Sequence, residues 1–227
     1  MKKTLLAIAI SAATVGTSAY AADDKNVYVE LGVGKASVDV STKTYSGSVA
    51  GITFTNAKAN YEYEDATTYG LEIGVSKFLG TPFRVGFGVA TLDLKFERAT
   101  GTGTIGTGLG NVTLSVSGTA EDFRNIGLVF PNRRVKMYMA NGYYDFPTSG
   151  NLKPFVGAGL GLADVESAQD QEFAFSLHAG LNYELGNNMY VGGRFSHYRV
   201  AGITDNLGVK YEPLGVNYFG MTLGVRF

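Results

Sequence analysis

The sequence predicts an all-β protein: an eight-stranded antiparallel up-and-down transmembrane β-barrel, preceded by a cleaved signal peptide. Three observations predict it. Apolar residues recur at every second position in eight segments, the connections between these segments alternate between short and long, and the chain holds 31 Gly, 14 Tyr and 14 Phe but no Cys or Trp. The missing Cys excludes a disulfide scaffold or thiolate metal site, and two His are too few for a three-histidine zinc site. With a net charge of −1 and no basic block, the chain lacks the footprint of a nucleic-acid binder, so we expect no cofactor, metal or nucleic-acid partner.

The N-terminus has the three parts of a secretory signal peptide. Lys2 and Lys3 precede an uncharged apolar stretch at residues 5–15, and Ala19-Tyr20-Ala21 matches the A-x-A cleavage pattern. The apolar stretch is too short to be a transmembrane helix. We therefore expect export and cleavage after Ala21, with a signal peptide at residues 1–21 and the barrel domain at residues 22–227.

Two segments show the strand periodicity most clearly. Residues 173–185 carry seven apolar side chains at alternate positions. The last ten residues place on one face Phe219, Met221, Leu223, Val225 and Phe227. The other six predicted strands cover residues 27–35, 69–76, 83–90, 138–146, 154–162 and 189–195. Beyond residue 90 the apolar residues change parity, which predicts either a bulge or the exit of the strand from the membrane.

The connections predict which end of the barrel carries the long loops. Short turns at residues 79–82, 146–154 and 186–188 alternate with long loops at residues 41–68, 97–134, 165–171 and 201–213, as is typical of an outer-membrane barrel. Residues 49–54 and 112–116 alternate within the two longest loops. They predict hairpins above the membrane, or else an extra membrane pair that would make ten strands.

The composition of the two strand faces predicts which face meets lipid. A secreted ligand carrier is also an eight-stranded barrel, with apolar residues inside. Here the face between the apolar residues is rich in Gly, Ser and Ala, which suits a narrow lumen. We therefore place the apolar face outward and keep a soluble periplasmic carrier as an alternative. Aromatic residues near the strand ends predict two interface girdles: Phe83, Phe146, Tyr183 and Tyr190 on the periplasmic side, and Phe96, Phe173 and Tyr198 on the outer side.

The inward face carries charges of both signs. These predicted lumen residues are Glu30, Glu72, Asp145 and Glu184, with Arg84, Arg194 and Arg226. An eight-stranded barrel is just wide enough for side chains to fill it. The set therefore predicts opposite charges that pair across the lumen and plug it, and the alternative is the selectivity lining of a small passive porin.

Three segments resemble known proteins. Phe227, with apolar residues at every second position before it, resembles the C-terminal signature of bacterial outer-membrane barrels, which implies recognition by the barrel assembly machinery. Residues 153–161 and 141–146 resemble the fifth and fourth strands of small outer-membrane β-barrel proteins related to the opacity proteins and to the membrane domain of OmpA. The resemblance implies a location in the cell outer membrane, in contact with lipid and lipopolysaccharide. Because the sequence ends at Phe227, we expect no peptidoglycan-binding domain like that of full-length OmpA relatives.

Two motifs suggest enzyme chemistry, and both are incomplete. Residues 101–106 match G-x-G-x-x-G, but a dinucleotide site needs a preceding strand and a following helix, and this Gly/Thr run favours a flexible loop. Residues 193–199 resemble the seventh strand of the lipid A deacylases. His197 matches the family's histidine, but Arg199 stands where the nucleophilic serine should be, and Ser196 lies on the opposite face.

The sequence therefore predicts no catalytic residue. The interpretation is a non-enzymatic outer-membrane barrel with a plugged lumen and surface-exposed loops. Its expected role is structural, or adhesion and interaction through the long loops with a host or other surface ligand. A membrane-embedded lipid-modifying enzyme is disfavoured because the nucleophile is missing.

Overall fold

The computed structural model describes residues 26–49, 52–107, 110–126, 132–166, 168–186, 188–204 and 210–227. The predicted cleavage site at Ala19 and Ala21 lies outside these ranges and stays a prediction. The described residues form one short α-helix, α1 (Ala120–Asn125), a single 3-10 turn at Phe78–Gly80, and twelve strands. The strands are β1 (Val27–Ser41), β2 (Tyr45–Val49), β3 (Ile52–Tyr63), β4 (Ala66–Val75), β5 (Phe83–Leu94), β6 (Phe96–Thr107), β7 (Gly110–Thr119), β8 (Arg133–Asp145), β9 (Leu152–Val165), β10 (Glu172–Gly186), β11 (Met189–Val200) and β12 (Leu214–Arg226).

Eight of the strands close into an antiparallel barrel. Their order around it is β1, β4, β5, β8, β9, β10, β11 and β12, and β12 pairs back onto β1 from Tyr28↔Arg226 to Asp39↔Gly215. Closure gives the backbone groups of every barrel strand a partner on both sides, as a hydrocarbon environment requires. The eight-stranded prediction is confirmed, and the ten-stranded alternative is wrong. No helix in the described part of the chain is long and apolar enough to cross a membrane.

The two longest loops build a sheet above the barrel. We call the barrel end with the short turns the lower end, and the other the upper end. β3 pairs with the upper end of β1 from Asp39↔Glu62 to Ser41↔Asn60. β2 and β6 then pair with β3, and β7 pairs with β6. The loops at residues 41–68 and 97–134 therefore form hairpins above the barrel, as expected. We name β2, β3, β6 and β7 the external sheet.

The base of the external sheet has its own small core. Phe96, Ala99 and Phe123 are buried there, with Tyr61 and Tyr63 packed against them. Phe123 comes from α1, which begins with a capping box: the Thr119 side chain accepts from the Asp122 backbone, and the Asp122 carboxylate accepts from the Thr119 backbone. The Asp122 carboxylate accepts hydrogen bonds from the Thr119 backbone N–H and from the Thr119 hydroxyl, and these, the backbone one first, hold the pKa of Asp122 below its usual value.

The parity change after residue 90 is not a bulge. β5 pairs with β8 without a register shift from Phe83↔Tyr144 to Leu94↔Arg133. Arg84 near the start of the strand and Leu92 near its end both point inward, and both are 1 % exposed. The apolar residues change parity because the two faces of the barrel wall exchange polarity along the strand. The prediction of a bulge was therefore wrong, and an exit from the membrane fits the structure.

The exchange of polarity recurs on most strands of the barrel. In the upper half the interior is a hydrophobic core, in which the best-buried members, all at 1 % exposure or less, are Ala36, Leu92, Val135, Met137, Ala163, Ala174, Val200 and Val216. Outward side chains at this level include Lys35, Ser37 and Lys136, whereas Phe173 and Phe175 on β10 are apolar and exposed. In the lower half the outward side chains are instead large and apolar, such as Leu71 and Leu177, more than half exposed. The lower half thus suits lipid, and the upper half suits water.

Three of the predicted girdle residues are buried rather than exposed on the outer wall of the barrel. Tyr190 and Tyr198 are buried in the lumen, because both sit on the inward parity of β11. Phe96 is buried in the core at the base of the external sheet. Assigning these three to the interface girdles was wrong. Exposed outward aromatics remain at Phe83, Phe146, Phe173 and Tyr183.

The polarity exchange predicts opposite tolerance of charge at two outward positions. Arg at the midplane of the lipid face costs about 2–4 kcal/mol, so Leu177→Arg should lower the free energy of unfolding in lipid vesicles by about this amount. Ser37→Arg, outward but above the apolar band, should change it by less than about 0.5 kcal/mol. Urea titrations of both variants measure the difference. Equal destabilisation would contradict the position assigned to the lipid boundary.

Candidate functional site

The lower lumen is organised around two buried carboxylates. Glu30 on β1 and Glu72 on β4 are direct cross-strand partners, and both are at most 5 % exposed. Glu30 accepts hydrogen bonds from Arg194 Nη2 at 2.5 Å, Tyr190 Oη at 2.9 Å and Arg84 Nη1 at 3.5 Å. Two like charges side by side in a narrow lumen are tolerated because cations and hydroxyl donors surround them.

Glu72 is held mainly by neutral donors. Its Oε1 accepts from Tyr28 at 2.5 Å, and its Oε2 accepts from Tyr143 and Asn141, both at 2.7 Å. Arg194 Nη1 lies 3.8 Å from the same Oε2. Arg194 therefore bridges the two carboxylates, and the lumen carries one connected network rather than separate pairs.

Both buried guanidinium groups are stacked against aromatic rings. The Arg84 guanidinium lies 4.3 Å from the ring centre of Tyr143 and 5.1 Å from that of Phe155. The Arg194 guanidinium lies 5.2 and 5.6 Å from the same two rings. These are cation–π distances, and such contacts are stronger where water is excluded. Tyr143 and Phe155 thus contact both cations within the bore.

The remaining predicted charges lie nearer the lower end of the lumen. Asp145 Oδ1 is 3.3 Å from Arg84 Nη2, and Arg226 Nη1 is 2.8 Å from both carboxylate oxygens of Glu184. Their side chains are 21–25 % exposed. The structure thus places all seven predicted lumen charges inside the barrel, each within 4 Å of an opposite charge.

Reasoning from charge alone missed a neutral extension of this network on β10. The His178 Nδ1 lies 2.8 Å from Ser196 Oγ, and its Nε2 lies 2.9 Å from Ser176 Oγ and 3.3 Å from Asn141 Oδ1. Asn141 links this group to Glu72. The inward parity of β10 was the available signal, because it places Ser176 and His178 on the lumen face.

The serine–histidine pair does not form an accessible hydrolytic site. Ser196 is fully buried and His178 is 4 % exposed, so a substrate cannot reach the hydroxyl. His197, the residue that matches the deacylase histidine, points outward on the opposite face. Its Nδ1 lies 2.8 Å from Asn217 Oδ1.

Glycine makes room for the polar side chains at two close approaches. A Cβ on Gly86 would collide with the Tyr28 hydroxyl, and a Cβ on Gly159 would collide with Asn141 Oδ1 and Ser176 Oγ. The glycine-rich inward face is therefore a packing requirement of the network. Any larger residue at these positions would displace a hydrogen-bonded group.

A small cavity separates the charged network from the hydrophobic core above it. Its volume is about 50 Å³, and its lining includes Glu72, Asn141, Arg194 and Thr68. One water needs about 10–15 Å³ of such a cavity, so the cavity holds a few waters at most. Arg194 Nε and Thr68 Oγ1 are buried and hydrogen-bond to no protein atom in the described part of the chain, so both can bind such waters.

The C-terminal strand completes the barrel wall. The Phe227 backbone N–H donates to the Val27 carbonyl at 2.8 Å, which ties the last residue to the first strand. Phe219, Met221 and Phe227 are 64–70 % exposed on the outer surface, and Leu223 and Val225 share that parity. Recognition of these residues by the assembly machinery stays a prediction.

A closed antiparallel barrel with an apolar outer band and an ion-paired lumen defines a small transmembrane β-barrel protein. The model of the outer membrane protein β-barrel domain family matches residues 5–227, so the chain belongs to that family. It is a protein of the outer membrane, where its wall meets lipid and lipopolysaccharide.

Individual relatives are distant. The outer membrane protein PagN of Salmonella typhimurium is 30 % identical over 80 residues, which cover 28 % of this chain and 34 % of PagN. The match therefore spans about a third of that relative. The crystal structure of Neisserial surface protein A superposes with a TM-score of 0.53 at 12 % identity, covering 88 % of this chain and 97 % of that one. The structure of AlkL gives a TM-score of 0.45 at 17 % identity, covering 90 % and 91 %. The likeness to surface protein A shows the fold alone.

Breaking the central network should be costly. Glu30→Ala leaves two buried guanidinium groups without their shared carboxylate, and removing one partner of a buried ion pair costs about 3–5 kcal/mol. Glu184→Ala, at the more exposed pair, should cost clearly less, because partial solvation screens that pair. Urea titrations in vesicles give both values, and equal losses would contradict a central role for Glu30.

Proposed function

We propose that the protein is a non-enzymatic outer-membrane barrel with a plugged lumen, whose role is interaction through its external sheet. The observation that carries this proposal is the filling of the lumen by two successive layers. The lower layer is the ion-paired network around Glu30 and Glu72, and the upper layer is the hydrophobic core around Met137 and Val200.

The two layers block water by different means. In the lower layer, charged heads and aromatic rings share the bore, so a passing ion would have to displace paired groups. In the upper layer most of the packed side chains are aliphatic, and these supply no hydrogen-bonding partner for water or ions. A small passive porin would need both layers to open, which is why it is the second choice.

Because a plugged lumen carries no traffic, we place the function in the part of the chain that lies beyond the membrane. The external sheet and α1 lie above the barrel and expose both backbone edges and side chains. Surface loops on a rigid scaffold are common sites of recognition. We therefore assign the interaction role to the external sheet and expect the barrel to anchor it.

The first test is electrical. In planar bilayers, the refolded protein should give no stable, large open-state conductance. Arg194→Ala should also stay closed, because the hydrophobic core above the network remains. A porin of known conductance in the same bilayers serves as the positive control. Stable conductance from the unmodified protein would contradict the plugged lumen and favour the porin alternative.

The second test removes the β6–β7 hairpin. Replacing residues 99–118 by Asn-Gly joins the cross-strand partners Arg98 and Thr119 through a favoured two-residue turn and leaves the barrel strands intact. Bacteria that express this variant should bind cultured epithelial cells several-fold less than bacteria with the parent protein. A heat-dependent shift in gel mobility checks that the barrel has folded. Unchanged binding by the folded variant would contradict an interaction role for the β6–β7 hairpin.

A further inference from the structure

Strand β7 presents a free backbone edge. In the described part of the chain it pairs with β6 from Arg98↔Thr119 to Thr107↔Gly110, and no strand pairs with its other side. In an antiparallel ladder, every second residue turns its N–H and C=O groups to one side. Half of the β7 residues therefore direct these groups to the open edge, where they can bind a further strand.

This edge lacks the features that usually protect an edge strand. Native sheets block their edges with charged residues, proline or bulges, yet residues 111–117 of β7 include no charge and no proline, and the β6–β7 pairing has no register shift. On one face Val112, Leu114 and Val116 are 46–57 % exposed. The opposite face carries only short polar side chains, and all of them are exposed.

The order of these residues is self-complementary. Asn-Val-Thr-Leu-Ser-Val-Ser, residues 111–117, is symmetric about Leu114 in side-chain type. An antiparallel copy centred on Leu114 places Leu114 opposite Leu114, Val112 opposite Val116, and Thr113 opposite Ser115. Apolar residues then meet apolar residues, hydroxyls meet hydroxyls, and no like charges face each other.

We propose that β7 is a homotypic docking edge that pairs with β7 of a second copy of this chain in antiparallel register about Leu114. The inference rests on the interaction role proposed above for the external sheet, and it names the partner. In this register each residue meets a partner of the same parity. The edge-directed backbone groups of one copy therefore meet those of the other, as an antiparallel ladder requires.

A second copy fits this edge better than an unrelated strand does, because symmetry alone supplies the match on both faces. A parallel arrangement fails. In a parallel pair, each residue forms its backbone hydrogen bonds with the two neighbours of the residue opposite it. An in-register parallel pair of β7 strands would instead place the edge-directed residues of the two copies opposite each other, so their backbone groups could not bond. A shift by one residue would set apolar side chains beside hydroxyls.

The antiparallel requirement also fixes how two barrels meet. The β6–β7 hairpin runs from the base of the external sheet to its tip over about 30 Å, given about 3.3 Å per strand residue. Two hairpins that leave their barrels in the same direction cannot pair antiparallel. Hairpins that extend away from the membrane therefore meet head to head, and we expect the contact to join two facing outer membranes.

Charge exchange in lipid nanodiscs tests the pairing, because a disc leaves both ends of the barrel accessible. Discs with the unmodified protein should associate in pairs in sedimentation. Leu114→Lys and Leu114→Glu should each associate several-fold more weakly, since like charges then face each other across the two-fold axis. A mixture of the two variants should restore association. Failure of the mixture to exceed the single variants, or unmodified discs that stay single, would overturn the proposal.

Cross-linking tests the register. The chain has no Cys, so added thiols are the only ones. Discs with Val112→Cys mixed with discs with Val116→Cys should give a disulfide-linked dimer under mild oxidation, whereas Val112→Cys alone should not. Thr100→Cys on β6, away from the free edge, is the control and should not cross-link. Equal cross-linking of all variants, or none by the mixed pair, would overturn the register. These assays contain no host cells. A failure here would therefore leave the host-binding role intact, and a failure of the host-binding assay would leave the pairing of β7 intact.

Discussion

Closure of β12 onto β1 is the constraint on which the rest of the structure depends. A sheet in hydrocarbon cannot leave backbone groups unpaired, so the eight strands must form a ring of small diameter. A narrow ring leaves the interior only enough width for side chains. Inward positions that lie against a large side chain crossing the bore are therefore occupied by glycine. The close approaches at Gly86 and Gly159 follow from this shortage of space.

Within that ring, charge has to be neutralised locally. Glu30 and Glu72 face each other across adjacent strands, and neither can be solvated by bulk water. Arg194 contacts both, Arg84 contacts Glu30 and Asp145, and tyrosine hydroxyls occupy much of the remaining acceptor capacity. The carboxylates and guanidinium groups of the network are thus matched by other inward groups, whereas Arg194 Nε and Thr68 Oγ1 bond to no protein atom in the described part of the chain.

The sequence predicted the strand count, the closure and the inward set of charges because a two-residue period states directly which face each residue occupies. It did not give the partners of these charges, since the partners depend on how far each strand is shifted along its neighbour.

Strand lengths were underestimated at the upper end, because the apolar residues there lie on the inward face. β1 extends six residues beyond residue 35, and there Ala36, Val38 and Val40 are buried inside while Lys35 and Ser37 are outside. The two-residue alternation continues past residue 35, but the apolar residues move from the outward to the inward positions. A search for apolar residues on the outward positions therefore ends before the strand does. Tyr190, Tyr198 and Phe96 were misplaced because an aromatic residue near a strand end indicates an interface only if its parity is outward.

The water-exposed upper half has a consequence for how the protein enters its membrane. For insertion from the side of the short turns, the outward cations of the upper half, among them Lys35, Arg134 and Lys136, would have to cross the hydrocarbon before they reach their final position. A Lys or Arg on the lipid face at the midplane costs about 2–4 kcal/mol, so each such crossing is opposed by an energy barrier. Insertion is therefore slow in an intact bilayer and fast where the bilayer is thinned. A polar outer face at the upper end therefore opposes spontaneous insertion into an intact bilayer.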